Sequence, residues 1–244
     1  MPEAERIWIV GASTGIGAQL ARAYARRGAR LVLSARSEEP LQQLAAEIGG
    51  AEVVTVDTAD QTSLDAASAQ IAAVGKLDRA ISLAALYDPG KVLDIDPDAA
   101  AKLVTVNLTG AFLFARAAEP LLRDGGQLAI TGSVAGYVGL PQGQMYSASK
   151  AGVINLCETL RNELAPRVDV RMVSPGFVDT RLTQKNSFQM PGLMQPEDAA
   201  ACIVKGLDRR GFEVHFPRRL TLPLKLLRRL PYALSLPLMK RLVS

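Results

Sequence analysis

Runs rich in Val, Ile and Leu recur along the chain at RIWIVG (6–11), RLVLSA (30–35), EVVTV (52–56), RAISLAA (79–85), QLAITGS (127–133), VDVRMVS (168–174) and FEVHF (212–216). Each has the length of a strand, and such runs are apolar on both faces, which marks strands covered from both sides. Between them, apolar residues return every three or four positions and predict helices over 16–27, 40–48, 61–74, 98–122, 145–164 and 196–207. Strand and helix alternate throughout. The expected fold is therefore α/β: one doubly wound sheet of seven mainly parallel strands, with helices on both faces, in a single domain. A chain of 244 residues is long for one domain, yet open α/β sheets of this size often form one core.

The pattern changes after residue 216. The last 28 residues hold Pro217, Pro223, Pro231 and Pro237, seven Lys or Arg and no acid, so they carry +7 and the rest of the chain −3, together the net +4. The chain thus divides into a body, 1–216, and a basic extension, 217–244. A helical wheel over PLKLLRRLP, 223–231, puts Leu224, Leu226, Leu227 and Leu230 on one side and Lys225, Arg228 and Arg229 on the other. Such a segment either lies in a membrane interface or docks its leucines on the protein or on a second subunit. The basic balance belongs to the tail and comes with no nucleic-acid reader motif, so no nucleic-acid partner is expected.

Composition excludes several chemistries. Hydrophobic residues at 48% and charged residues at 21% are ordinary for a globular protein. The start, MPEAERIWIVGAS, lacks a basic n-region and a long apolar stretch, and no unbroken run of about 18 apolar residues occurs. A cytoplasmic location is expected, with membrane association through the tail left open. Cys157 and Cys202 are the only cysteines, in no C-x-x-C, and read as buried apolar residues with no metal site. The one histidine, His215, sits in a strand-like run and reads as structural or surface. Ser133 lacks a G-x-S-x-G elbow, which excludes a serine hydrolase.

The first predicted strand runs into GASTGIG, 11–17, and then into a helix. Glycines at Gly11, Gly15 and Gly17 let the backbone turn sharply and let a pyrophosphate approach the helix N-terminus, the phosphate cradle of a dinucleotide-binding, Rossmann-type fold. Arg36 follows the second strand, where an acid would bind ribose hydroxyls and a guanidinium would pair with a 2′-phosphate. That favours NADP(H) over NAD(H); a solvated arginine at a strand end is the plainer alternative. Asp57 ends the third strand and is a candidate for the adenine amino group, or else caps the helix that begins at Gln61.

In YSASK, 146–150, a phenol and an ammonium stand one helical turn apart on one face. A nearby cation favours the phenolate, which would turn Tyr146 into an acid or base. VGASTGIG, VNLTGAF around Asn107, ITGSVAG around Ser133, YSASK and SPGFVDT at 174–180, in this order, resemble the short-chain dehydrogenase/reductase family over about residues 6–216. The resemblance implies hydride transfer between a nicotinamide and a carbonyl or secondary alcohol. It implies Tyr146 as acid/base, Lys150 lowering its pKa and holding the nicotinamide ribose, Ser133 orienting the substrate oxygen, and Asn107 positioning a water beside the lysine. It also implies that Pro175, Gly176, Val178 and Thr180 close over the nicotinamide, and that Ser13, Thr14, Ile16, Thr58 and Ala84 contact the cofactor. Bringing a phenol from about 10 to about 7 would need roughly 4 kcal/mol of differential stabilisation.

Two positions depart from the family pattern. Val10 replaces the usual Thr before the first glycine, and Ser82, Leu83, Ala84 and Ala85 stand where the family has NNAG, removing amides that brace the sheet and border the adenosine ribose. Weaker or differently contacted cofactor is the expected consequence. The altered segment keeps a second reading open, a cofactor-binding sensor on the same fold, although a sensor has no need of Ser133, Tyr146 and Lys150 together. The helices carrying Asn107 and Tyr146 resemble those that pair subunits in the family, which implies a homodimer or homotetramer. A lipophilic substrate would suit the basic tail, and the 177–195 loop would contact it.

Overall fold

The computed structural model describes residues 4–186 and 188–243; Met1 to Glu3, Ser187 and Ser244 lie outside the described residues, and with them part of the amino-terminal reading, of the 177–195 loop and of the tail. Seven strands form one sheet in the order β3-β2-β1-β4-β5-β6-β7, and every pairing is parallel. They are β1 (Arg6–Val10), β2 (Arg30–Ser34), β3 (Glu52–Val53), β4 (Leu77–Ser82), β5 (Leu122–Thr131), β6 (Val168–Pro175) and β7 (Glu213–Phe216). The helices are α1 (Gly15–Ala25), α2 (Glu38–Glu47), α3 (Gln61–Val74), α4 (Pro97–Val104), α5 (Gly110–Ala118), α6 (Gln144–Leu164), α7 (Pro196–Leu207), α8 (Arg218–Arg229) and α9 (Tyr232–Val243).

Strand periodicity builds the two cores. Along β1, Trp8 and Val10 face one layer while Ile7 and Ile9 face the other, and all four are buried. The first layer packs Leu64 and Ile71 of α3, Phe114 of α5 and Val153 of α6. The second packs Leu20 and Tyr24 of α1, Leu41 of α2 and Ile203 of α7. Two-sided burial explains why these strands read as continuous apolar runs rather than as alternations.

Three differences from the sequence reading have physical causes. The third strand keeps only Glu52 and Val53 in register, because it is the sheet edge; Val54 and Val56 still donate to Leu33 and Ala35 carbonyls at 3.1 and 3.0 Å. The expected helix over 98–122 is broken by a π-helical turn, Thr105–Thr109, and a 3-10 turn, Glu119–Leu121, after which β5 begins. Its apolar periodicity continues through both turns, so the break leaves no hydropathic mark. By length and composition alone Pro97–Leu121 could cross a membrane, but Leu103, Asn107, Phe114 and Ala118 are buried in the protein.

The tail forms two helices where one short helix was expected, and its leucines divide between two faces. Leu224 and Leu227 of α8 and Met239 of α9 join the core on the α3, α5 and α6 side, while Leu226 is 62% exposed. The wheel had grouped Leu226 with Leu224. The packed face instead centres on Leu224, with Leu220 and Leu227 beside it, and Leu226 lies opposite.

Candidate active site

In an open parallel sheet the ligand crevice lies beyond the carboxyl ends of strands where the winding reverses. Here β1 pairs β2 on one side and β4 on the other, and a cleft of about 470 Å³ opens beyond their ends. At one end lies the glycine turn. Gly11 and Gly15 have φ of 84° and 56°, in the left-handed region that favours glycine. A Cβ on Gly11 would stand 2.8 Å from the Ala84 nitrogen, and one on Gly17 would stand 2.0 Å from the Gly11 carbonyl oxygen. The missing side chains thus let three main-chain segments meet and leave the N-terminus of α1 open. Ser13, Thr14, Ile16, Thr58 and Ala84 line the same cleft.

The departures at Val10 and at 82–85 are absorbed by main chain. Leu83 donates its N–H to the Val10 carbonyl at 2.8 Å, and the Thr131 hydroxyl donates to the Ser82 carbonyl at 2.6 Å. The β1–β4 ladder thus runs one residue past Ser82, and Leu83 lines the cleft without closing it. Arg36 lines the outer end, is exposed, and has no ion pair or hydrogen bond to other described residues. Asp57 also lines the cleft, but it does not cap α3. Its Oδ1 accepts from the Ala59 N–H at 2.9 Å, and the helix cap is Asp60, accepting from the Thr62 N–H.

The other end holds the titratable groups. Tyr146 and Lys150 project from the first turns of α6, and Ser133 caps the 3-10 turn Val134–Gly136 after β5, its Oγ accepting from the Ala135 N–H at 3.1 Å. That turn is pressed on α6, since a Cβ on Gly136 would lie 2.6 Å from the Lys150 carbonyl carbon. This contact sets the Ser133 hydroxyl beside the Tyr146 phenol. Lys150 is 1% exposed and donates its ammonium to the Thr131 carbonyl at 2.8 Å. Pro175, Gly176, Val178 and Thr180 form the wall beyond β6, and the Thr180 methyl would stand 3.2 Å from a Cβ on Gly15, so this segment lies over the glycine turn.

Asn107 lies behind the cleft wall rather than on it. Its amide donates to the Leu86 carbonyl at 2.9 Å and to the Ser149 hydroxyl at 3.1 Å, and its Oδ1 accepts from the Leu86 N–H at 2.7 Å. Ser149 in turn donates to the Tyr146 carbonyl at 2.7 Å. The side chain thus clasps the loop after β4 to the turn of α6 that carries both Tyr146 and Lys150.

In the protein alone, burial dominates the electrostatics of the pair. Burial pushes the Tyr146 phenol up to about 12, against the Ser133 hydrogen bond, which pulls it down. Burial also brings the Lys150 ammonium down to about 8. The lysine nitrogen stands 5.8 Å from the phenol ring centroid and is held by a carbonyl, so it does not offset the desolvation of a phenolate. In the protein alone the phenol is firmly protonated.

Several site residues carried no sequence signal. Tyr87 stands edge-on to Tyr146 at 4.8 Å between ring centroids, and its hydroxyl donates to Asn186 Oδ1 at 2.5 Å, bridging two loops across the cleft mouth. Gln142, in the loop before α6, and Gln144, the first residue of α6, have φ of 61° and 40°, unusual for residues with side chains. The buried Ser147 hydroxyl lines the cleft and has no partner among the described residues. His215 and both cysteines play no part in the cleft: His215 Nδ1 lies 2.6 Å from the Thr221 hydroxyl, Cys157 is buried, and Cys202 is half-buried. The described residues contain no His, Cys, Asp and Glu group able to hold a metal ion.

The family model for short chain dehydrogenases matches residues 5–190, which span the glycine turn, Asn107, Ser133 and the Tyr146–Lys150 pair. The chain belongs to the short-chain dehydrogenases. Among relatives of this dehydrogenase, an uncharacterized oxidoreductase of Myxococcus xanthus is 35% identical over 232 residues, covering 91% of each chain. The 11-beta-hydroxysteroid dehydrogenase 1A of Arabidopsis thaliana is 35% identical over 76% of this chain, which spans 56% of that protein's length. In structure, a short-chain dehydrogenase from Burkholderia cenocepacia in complex with NADP is similar, with TM-score 0.84, 29% identity and coverage of 99% of this chain and 98% of that one. An alcohol dehydrogenase from Thermococcus sibiricus complexed with 5-hydroxy-NADP gives TM-score 0.81 at 27% identity, covering 88% of this chain and 96% of that one. The dehydrogenase is thus an oxidoreductase of a family acting on CH–OH and C=O groups, and its cradle fits a nicotinamide dinucleotide: three glycines leave space at the helix N-terminus, and an open cleft leads from them to the phenol.

Proposed function

We propose that the protein is an NADPH-dependent reductase of a lipophilic carbonyl compound, with Tyr146 as the proton donor. The observation that carries this reading is the placement of the buried Tyr146 phenol, beside the Ser133 hydroxyl, at the end of a cleft whose other end is the glycine turn. A nicotinamide dinucleotide bound here supplies the hydride. The residues of the chain do the rest. The carbonyl oxygen lies between the Ser133 and Tyr146 hydroxyls; as the carbonyl carbon is reduced, its oxygen takes the phenolic proton and becomes the alcohol hydroxyl. The resulting phenolate is reprotonated from the Lys150 side, where an ammonium lowered to about 8 is a ready donor near neutral pH. Asn107 is a positioning residue, since it touches neither substrate nor cofactor in this arrangement.

Arg36 supports NADP over NAD, because an unpaired guanidinium at the adenosine end can take a 2′-phosphate through two charge-assisted hydrogen bonds. The lipophilic class is supported by the apolar residues of the substrate end, Leu140, Phe177 and Phe188, and by the hydroxysteroid activity named for the plant relatives. Pairing of subunits through the 97–121 segment belongs to the same reading, supported by Phe112, which is 48% exposed on α5. The test is a panel of steroid, quinone, aldehyde and acyl ketones, followed by NADPH and NADH fluorescence. Turnover of at least one lipophilic ketone, faster with NADPH, is expected; tight NADPH binding with no turnover across the panel would make the protein a sensor instead.

A further inference from the structure

Half of the molecule's large exposed apolar side chains sit on the two tail helices: Leu222, Leu226, Tyr232, Leu234, Leu236 and Leu238, against six on the rest of the described chain. Their inner faces are already used. Leu224 and Leu227 of α8 and Met239 of α9 enter the same core layer, so both helices pack on one side of the sheet. On α8, Leu222 and Leu226 share an outward face with exposed Arg219 and Arg229; on α9, exposed Tyr232, Leu234, Leu236 and Leu238 flank the buried Ser235 and Met239, with Lys240 exposed beside them, and the segment from 217 holds no acid. Prolines at 223 and 237 lie inside the helices without breaking them, so both stay formed as platforms.

We infer that this outer surface docks on an anionic phospholipid bilayer, with the leucines in the acyl boundary and the arginines and lysine at the headgroups. Lys225 and Arg228 are already paired, with Glu213 and Glu158, but Arg219, Arg229 and Lys240 are exposed. Charge selects this occupant over a second copy of the chain, because a two-fold pairing would set these cations against their own copies, whereas an anionic surface neutralises them. Length selects the orientation. Twelve residues of α8 reach about 18 Å, short of a hydrocarbon core of about 30 Å, so the helix lies in the plane of the interface.

The same helix is fastened to the active site. Lys225 pairs with Glu213 of β7, Glu213 accepts from the Tyr137 hydroxyl, and Tyr137 follows directly on the 3-10 turn that Ser133 caps. The Leu220 side chain fills the space beside Gly176 in the cleft wall, where a Cβ would lie 2.8 Å from it. Docking therefore holds the cleft wall close to the bilayer, where a lipid-dissolved substrate would be concentrated.

The inference does not depend on the hydride chemistry, because it is read by vesicle co-sedimentation without turnover. The full chain is expected to sediment with vesicles of phosphatidylcholine containing about one quarter phosphatidylglycerol, to remain in solution with phosphatidylcholine alone, and to be released by about 0.5 M salt. Leu226→Ser/Leu234→Ser and Arg219→Gln/Arg229→Gln should each cut the bound fraction about tenfold while NADPH affinity, measured in parallel to report folding, is unchanged. Wild-type protein left in solution with the anionic vesicles would overturn the inference, as would variants that sediment like wild type. Conversion of a dimer to a monomer by the leucine pair, with no wild-type vesicle binding, would assign the surface to a second copy instead.

Discussion

At the scale of single residues, the site is a set of protonation states fixed by burial. Tyr146 is held up at about 12 and Lys150 down at about 8, both chiefly by desolvation, and these shifts have opposite consequences because one group is neutral when protonated and the other is charged. In the protein alone burial favours the neutral phenol, the form that donates in reduction. The ammonium that restores that proton is lost as pH rises through about 8. Carbonyl reduction, measured as kcat against pH, should therefore be level between about 6 and 7 and fall above about 8, while alcohol oxidation should rise over the same range. A reduction rate that climbs through pH 9 would contradict the assignment of Lys150. At the outer end, Arg36→Asp should raise the NADPH KM about tenfold or more and leave the NADH KM unchanged or lower, as read in paired kinetic assays.

The Tyr146–Lys150 spacing was legible in the sequence, because four residues on a helix is a geometric statement. The burial of the phenol and the capture of the lysine by the Thr131 carbonyl were not, since both are products of tertiary packing. Tyr87 was invisible for the same reason: it meets Tyr146 and Asn186 from loops far apart in sequence.

Between elements, the site depends on close approaches that particular residues permit. Gly17→Ala would put a Cβ 2.0 Å from the Gly11 carbonyl oxygen, a backbone atom that cannot swing aside, so the turn must open. Destabilisation of about 1–3 kcal/mol and loss of NADPH binding are expected, seen by thermal melts and fluorescence titration. Asn107→Ala removes a buried clasp from the π-helical turn, stranding the Leu86 main-chain groups. Its cost should be about 1–3 kcal/mol, with kcat reduced and NADPH affinity retained, because the clasp orients α6 but does not line the cleft. An unchanged kcat would reduce Asn107 to a purely structural role. The glycines were readable from the sequence as a cradle, and the order of strands and helices followed from hydrophobic periodicity. The π turn was not readable, since Thr105 to Thr109 continue the same apolar rhythm as the helices on either side.

For the whole molecule, the tail ties surface, core and cleft together. Sequence pattern distinguished residues 217–244 by charge and proline, yet assigned its leucines to a single face. The structure divides them, because Lys225 turns inward to Glu213 and carries Leu224 and Leu227 into the core, leaving Leu222 and Leu226 outside. Ending the chain after Phe216 should therefore do more than remove a surface. It uncovers core side chains and leaves Glu213 without its cation, so calorimetry should show a lower Tm and the assay a lower kcat; an unchanged melt would mean the extension is a passenger on the body.

The central claim, that the Tyr146 hydroxyl delivers the proton in this cleft, is tested most directly by Tyr146→Phe in single turnover with saturating NADPH and a reducible ketone. The account predicts NADPH binding close to wild type and a reduction rate lower by about a hundredfold or more. A phenylalanine enzyme that reduces the ketone within about threefold of wild type would contradict it and move the proton source to another group in the cleft.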